Sequence, residues 1–349
     1  MWFNKEDFTF NSPLIKENIY GYVLPHASTK YTSNIYIHTL QFIPKQINFD
    51  KVYIFYYPSQ QKENVNHLNQ SYFHEYFVPW QSLKYVFEKW WKIPPKRFIG
   101  INMNNITNID LNNALIIISA DFSHYLPMHK AIELENKAAH SLVFKTQNSS
   151  QSVVDDMKQF NFVFNLIPNF VLRWIGRTRS PGNEAVGYLS FLITTKHIPR
   201  NPDGFFVTAY DINMNTRECL GNWEYSINNV DNLLHEVYNK AITISRLTNG
   251  KFKKVPVKHF IITYLYKDKK NNFIRGYHGI KGNAFYLSDV FLENTFENGK
   301  WINSNDRSWP SNDEFDLTET KNMLMQKSHS TSIRELTYYK CYPNYLTID

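Results

Sequence analysis

The run Ala114-Leu115-Ile116-Ile117-Ile118-Ser119 is apolar without alternation, and a polar block, Ala120-Asp121-Phe122-Ser123-His124-Tyr125, follows it at once. An unbroken β-branched run of this length fits a strand covered on both faces, as in a parallel sheet with helices on either side. In such sheets ligands bind beyond the carboxyl ends of the strands, where this polar block lies. Three further short runs read as strands: Tyr20 to Leu24, Val52 to Tyr57 and Arg97 to Ile101. Helical spacing is read at Tyr85 to Trp91, at His129 to Phe144 and after Ser180-Pro181. In the last of these Ser180 is the N-cap, and Ala185, Tyr188, Leu189 and Leu192 form the apolar stripe. Strands alternating with helices predict an α/β sheet domain.

A breaker-rich stretch, Ile198-Pro199-Arg200-Asn201-Pro202-Asp203-Gly204, ends this pattern. Beyond it come strand-like Phe205 to Tyr210, a helix from Val230 to Ser245, strand-like Phe260 to Tyr266 and a glycine-rich stretch from Gly276 to Gly282. That mixture predicts a small α+β domain. The expected division is 1–200 and 201–349, consistent with 349 residues at about 150 per domain. Hydrophobic residues are 43% of the chain, enough to pack two cores and to exclude wholesale disorder.

Other features exclude classes of function. No apolar run approaches the ~18 residues of a membrane span, and the N-terminus has no apolar leader. The expectation is a cytoplasmic or nuclear protein that is not secreted and does not engage a membrane. Two cysteines, Cys219 and Cys341, cannot form a disulfide framework or a cysteine-only zinc site. The net charge of +7 is dispersed, with its densest basic run at Lys251-Phe252-Lys253-Lys254, which argues against nucleic acid as a partner. Partner and ligand are otherwise not specified by the sequence.

Polar groups stand at each predicted strand end: Pro25-His26-Ala27-Ser28, Tyr57-Pro58-Ser59-Gln60-Gln61 and the Asp121/His124 block. Ser180 to Glu184, as a helix start, would add free backbone N–H groups and an anion-favouring corner. Asp121 and His124 can act as a general acid/base pair, or Asp121 can cap the following turn. His67 and His74 are further candidates for a metal ligand, and Cys219 is either a reactive thiol or a small buried residue.

These four blocks, in order over roughly residues 20–195, resemble the MEMO family, α/β relatives of the class III extradiol dioxygenases. Pro25-His26-Ala27-Ser28 with Tyr31-Thr32-Ser33 matches its Pro-His-Ala-Gly-x-x-Tyr-Ser-Gly. Ser119 to Tyr125 matches its Ser-Ser-Asp-x-x-His-Tyr, and Pro181 to Val186 its Cys-Gly-x-x-Pro-Ile. The resemblance implies a metal held by two histidines and the cysteine. Here only His26 remains, because Gln60 and Gln61 stand where the family has its histidine pair and Pro181 where it has cysteine. The second part resembles the AMMECR family, in a shortened form: Phe206-Val207-Thr208, Arg217-Glu218-Cys219-Leu220-Gly221, Gly276-Tyr277-His278-Gly279-Ile280 and Ala284 to Val290.

Together the resemblances imply a MEMO–AMMECR-like fusion with a degenerate metal pocket. On this reading it is a non-catalytic binding or scaffold protein with no resident cofactor. Its pocket would be lined by Gln60, Gln61, Ser180 and Asn183. The alternative is a metal-dependent redox or oxygenase-like enzyme. Its divalent iron or zinc would sit on a rebuilt set, His26, Asp121 and His124, the last two also being the catalytic pair.

Overall fold

The computed structural model describes residues 2–58, 63–65, 70–106, 109–146, 153–182, 185–196, 198–222, 229–243, 247, 250, 255–269, 272–294, 296–297, 300–301, 317–332 and 335–348. Gln60, Gln61, His67, Asn183 and the basic run 251–254 lie outside the described residues. The chain is mixed α/β and divides into two compact units. The first comprises the described parts of Met1–Glu135 and Gln151–Thr195, the second those of Asn136–Ser150, Lys196–Ile302 and Glu314–Asp349. No helix of the described residues is long and apolar enough to cross a membrane.

The first unit is built on a six-stranded sheet. Its strands are β1 (Ile19–Leu24), β2 (Lys51–Tyr56), β3 (Arg97–Asn102), β4 (Ala114–Ser119), β5 (Phe170–Arg179) and β6 (Gly187–Thr195). Their order is β3-β2-β4-β1-β6-β5. The first four are parallel, and β6 and β5 close one side antiparallel. β4 lies between β1 and β2, and Leu115 to Ser119 are all buried, as the continuous apolar run requires. The helices are α1 (Thr29–Leu40), α2 (His74–Val86), α3 (Met128–Phe144), whose residues from Asn136 on belong to the second unit, and α4 (Lys158–Leu166). The helical spacing at Tyr85 to Trp91 proves to be the end of α2 together with a π-helical turn, Phe87–Trp91, that stops at left-handed Lys92.

The helix expected after Ser180-Pro181 does not form. That stretch leads into β6, which pairs with β1 on one side and β5 on the other. Tyr188 to Ile193 are buried throughout, so the spacing that matched a helical stripe belongs to a strand apolar on both faces. Ser180 instead closes the β5–β6 connection: its hydroxyl accepts from the Val186 N–H at 2.8 Å and its N–H donates to the Val186 carbonyl at 3.0 Å. Among the described residues no helix N-terminus, and hence no anion corner of that kind, stands there.

The second unit holds an antiparallel six-stranded sheet. Its strands are β7 (Gly204–Asp211), β8 (Thr216–Asn222), β9 (Val257–Lys267), β10 (His278–Lys281), β11 (Phe285–Tyr286) and β12 (Thr337–Thr347), in the order β8-β7-β9-β12-β10-β11. Helix α5 (Val230–Thr243) covers one face, packing Leu233, Val237 and Ala241 on Phe205, Val207, Ala209 and Phe260. The period-2 alternation turns Phe206 to the other face, against Phe285 and Val290. A short helix, α6 (Val290–Glu293), is capped by Asp289, whose Oδ1 accepts from the Val290 N–H at 3.1 Å.

Two predictions follow from this packing. At Gly21 a Cβ would stand 2.0 Å from the carbonyl oxygen of Ile116 on the neighbouring strand, and backbone there cannot yield cheaply. Gly21→Ala is expected to lower unfolding stability by about 3 kcal/mol or more, read by denaturant titration. In the second unit, burial and the Glu293 charge, opposed by His140, push the Asp289 carboxyl up to about 7. The folded chain then binds more protons than the unfolded one between about pH 4 and 7, so this group lowers stability as pH rises through that window. Asp289→Asn keeps the cap and is expected to raise stability at pH 8 by on the order of 1–2 kcal/mol, the gain vanishing near pH 4. An equal gain at both pH values would contradict the assignment.

Candidate metal centre

The site lies where β1 and β4 end side by side, with Leu24 opposite Ser119. The Ala120 N–H donates to the Leu24 carbonyl at 3.0 Å, carrying the pairing one residue past the strand. The chain from β1 then turns through His26 into α1, and Tyr36 of that helix donates its hydroxyl to the Pro25 carbonyl at 2.7 Å. The main-chain N–H of His26 donates to Asp121 Oδ1 at 2.8 Å. Both residues are buried, at 6% and 4% exposure.

The His26 ring has a defined proton on one side. Its Nδ1 lies 3.1 Å from Ser119 Oγ, and the Ser119 hydroxyl donates its only hydrogen to the Glu75 carbonyl at 2.6 Å. Ser119 is therefore the acceptor and Nδ1 carries a hydrogen. That arrangement turns Nε2 toward the carboxylates, the orientation in which an outer hydrogen bond fixes a metal-binding imidazole.

The second carboxylate is Asp155, on the segment between α3 and α4. Its N–H donates to the Asp121 carbonyl at 3.2 Å, and its Oδ2 accepts from the Asp121 N–H at 3.0 Å. His26 Nε2 is 3.1 Å from Asp155 Oδ2 and 3.8 Å from Asp121 Oδ2. His124 Nε2 meets the other oxygen, Asp155 Oδ1, at 3.2 Å. Among the described residues the group able to hold a metal is His26, Asp121 and Asp155, whose ligand atoms lie within 4.8 Å of one another. His124 is thus one carboxylate away from the position expected of it, and Asp155 takes its place in the set.

The charges are mutually dependent. Burial opposes a charge on His26, but the Asp121 and Asp155 carboxylates outweigh it and raise its pKa to about 9. Burial, reinforced by Asp155 and opposed by His26, pushes the Asp121 carboxyl up to about 6. Burial acts on Asp155 in the same sense, yet its hydrogen bond to His26 holds it below the ordinary carboxylate value. One protonated imidazole between two carboxylates is a partly balanced buried cluster, and a divalent ion in its place would balance it further.

The centre opens into a cleft of about 1370 Å³. Tyr31, Tyr57, Tyr125 and Ser180 line it, so Ser180 belongs to the pocket although not as a helix cap. Gln159 also lines it: its Nε2 donates to the Ser119 carbonyl at 3.0 Å, while its buried Oε1 has no hydrogen-bond partner among the described residues. His74 stands close by, its ring stacked on Trp2 at 4.4 Å and 5.3 Å from the His26 ring, outside the ligand group. Behind the centre, the Ser123 hydroxyl bonds Glu135, which pairs with Arg177 at 2.6 Å out of solvent. Tyr125 takes a left-handed backbone (φ 54°), unusual for a bulky residue, where the chain leaves His124.

Sequence reasoning missed Asp155. The signal available was small: a pair of acids, Asp155-Asp156, directly after Val153-Val154, both of which are buried.

In metal-free protein the His26 pKa is higher folded (about 9) than the ordinary ~6.5 of an unfolded chain. The contact therefore stabilises the fold fully below about pH 6.5 and is lost as pH rises through 9. Histidine NMR titration is expected to show this elevated midpoint, and Asp155→Asn to lower it by about a unit or more. An ordinary midpoint in the unsubstituted chain would contradict the geometry. In comparisons with known proteins, no family model and no curated protein matches the chain.

Proposed function

We propose that the first unit is a MEMO-like α/β domain acting as a metal-dependent enzyme, with a rebuilt site, and that the second is a shortened AMMECR-like domain. The observation that carries the proposal is Asp155, which adds a second carboxylate to His26 and Asp121 at the place where the MEMO resemblance expects a metal. One imidazole and two carboxylates suit divalent iron, manganese or zinc. The fit is supported by two features of the site. Ser119 fixes the hydrogen on Nδ1 and leaves Nε2 toward the carboxylates. Gln159 Oε1, buried and without a partner among the described residues, offers an acceptor at the cleft for a water or a ligand hydroxyl. A bound divalent ion would supply a Lewis acid for an oxygen donor in the cleft. His124, anchored through Nε2 on Asp155 and partly open to the cleft, is the group placed to exchange a proton with that donor.

A second reading, a non-catalytic binding domain without a metal, is favoured by the family ligands lost at Gln60, Gln61 and Pro181. Metal titration separates the two. Purified protein is expected to bind one equivalent of Fe(II), Mn(II) or Zn(II). Replacing His26 or Asp155 by Ala should weaken binding by about 100-fold, and His124→Ala by about tenfold or less. Absence of binding by the unsubstituted chain would leave the binding-domain reading.

A further inference from the structure

The cleft above the metal group is long as well as large. Its walls come from the carboxyl ends of all four parallel strands of the first unit: Asn102 ends β3, Tyr57 follows β2, Asp121 follows β4 and His26 follows β1. In the order β3-β2-β4-β1 these ends lie side by side over about 14 Å of sheet. The volume of about 1370 Å³ also exceeds the roughly 300–1,000 Å³ of ordinary small-ligand sites.

We infer that this cleft takes a neutral oligosaccharide as the substrate of the site, an inference that rests on the metal-dependent reading proposed above. Three features carry it. The first is a pair of rings open to water. Tyr125 is 65% exposed and Tyr31 38%, and both face the buried Tyr188 phenol closely enough to raise its pKa, so they flank one point of the cleft. Lys30 lies 5.6 Å over the Tyr31 ring, which leaves Tyr125 the more open platform, and the Tyr125 ring meets His124 edge-on at 6.0 Å. Flat aromatic faces of this kind stack on the C–H faces of sugar rings.

The second feature is a turn of amides at the far end. Asn102 Oδ1 accepts from the Asn104 N–H at 2.8 Å, and the Asn105 N–H donates to the Asn102 carbonyl at 2.9 Å, so the turn holds all three side chains on the cleft. An amide both donates and accepts, as a sugar hydroxyl does. At the near end Gln159 Oε1, buried and without a partner among the described residues, accepts a further hydroxyl. The third feature is charge. A polyanion would meet Asp7, Asp121, Asp155 and Asp156, with Lys30 the one lysine or arginine lining the cleft among the described residues. A cation would meet the bound ion. A neutral chain of hydroxyls meets neither conflict.

The test is calorimetric titration of the full chain, EDTA-treated and zinc-loaded, with cellotetraose, tetra-N-acetylchitotetraose, their disaccharides, a heparin tetrasaccharide and catechol. The zinc-loaded chain is expected to bind at least one neutral tetrasaccharide about tenfold or more tightly than its disaccharide, the heparin fragment or catechol. Tyr125→Gly, which suits the left-handed backbone (φ 54°), should weaken that binding about tenfold, and Gln159→Met about three- to tenfold. Tyr20→Ala, at an exposed tyrosine of β1 outside the cleft, should leave it unchanged. Zinc binding with no neutral tetrasaccharide bound, tighter binding of the heparin fragment or catechol, or equal effects of Tyr125→Gly and Tyr20→Ala would overturn this inference and leave the metal reading standing. Failure to bind zinc, with tetrasaccharide bound all the same, would strike the metal reading and uphold the ligand class.

Discussion

The hydrogen bond from the His26 main chain to Asp121 joins the ends of the two central parallel strands of the first unit, and the candidate centre depends on it. It makes Asp121 a fixed part of the backbone framework, with its second oxygen left for chemistry. It also sets where the His26 ring lies, because a residue held at its N–H and followed by a helix has few places to put its side chain. Asp155 then enters by exchanging two bonds with the Asp121 main chain. The buried charges are tolerable because each has partners: a lone carboxylate at this depth would lose its charge before it would stay ionised.

How much of this was legible in the sequence follows from which signals are local. Ile116-Ile117-Ile118 announced a strand buried on both faces because no other common element produces an unbroken β-branched run between turn residues. Its position therefore also announced the ligand-binding edge, and His26 and Asp121 do meet there. The spacing of Tyr188, Leu189 and Leu192 was ambiguous, since a strand apolar on both faces contains helical spacings by accident. Pairing with β1 and β5 decides the matter, and neither partner is visible locally. Helix α1 escaped notice because its buried side includes Thr32, Ser33 and Thr39, polar residues satisfied in the fold but unremarkable in sequence. Asp155 was hidden for a related reason: it reaches the centre from a loop 34 residues beyond Asp121, and long-range placement leaves no periodic trace.

The second unit shows the opposite balance. Alternation along β7 is a local signal, and it assigns Phe205, Val207 and Ala209 to the α5 side and Phe206 to the other. What the alternation does not reveal is that Asp289 and Glu293, from a single short helical turn, line a space on this other face. In the first unit an imidazole and two carboxylates meet in one group able to hold a metal ion.

The most direct test of the central claim is X-ray absorption spectroscopy of the zinc-loaded chain, which counts ligands around the ion without depending on any activity. The account predicts a shell of nitrogen and oxygen only, at about 2.0–2.2 Å, with outer scattering from one imidazole. Sulfur in the shell, or scattering from two or more imidazoles, would contradict a centre built from His26, Asp121 and Asp155.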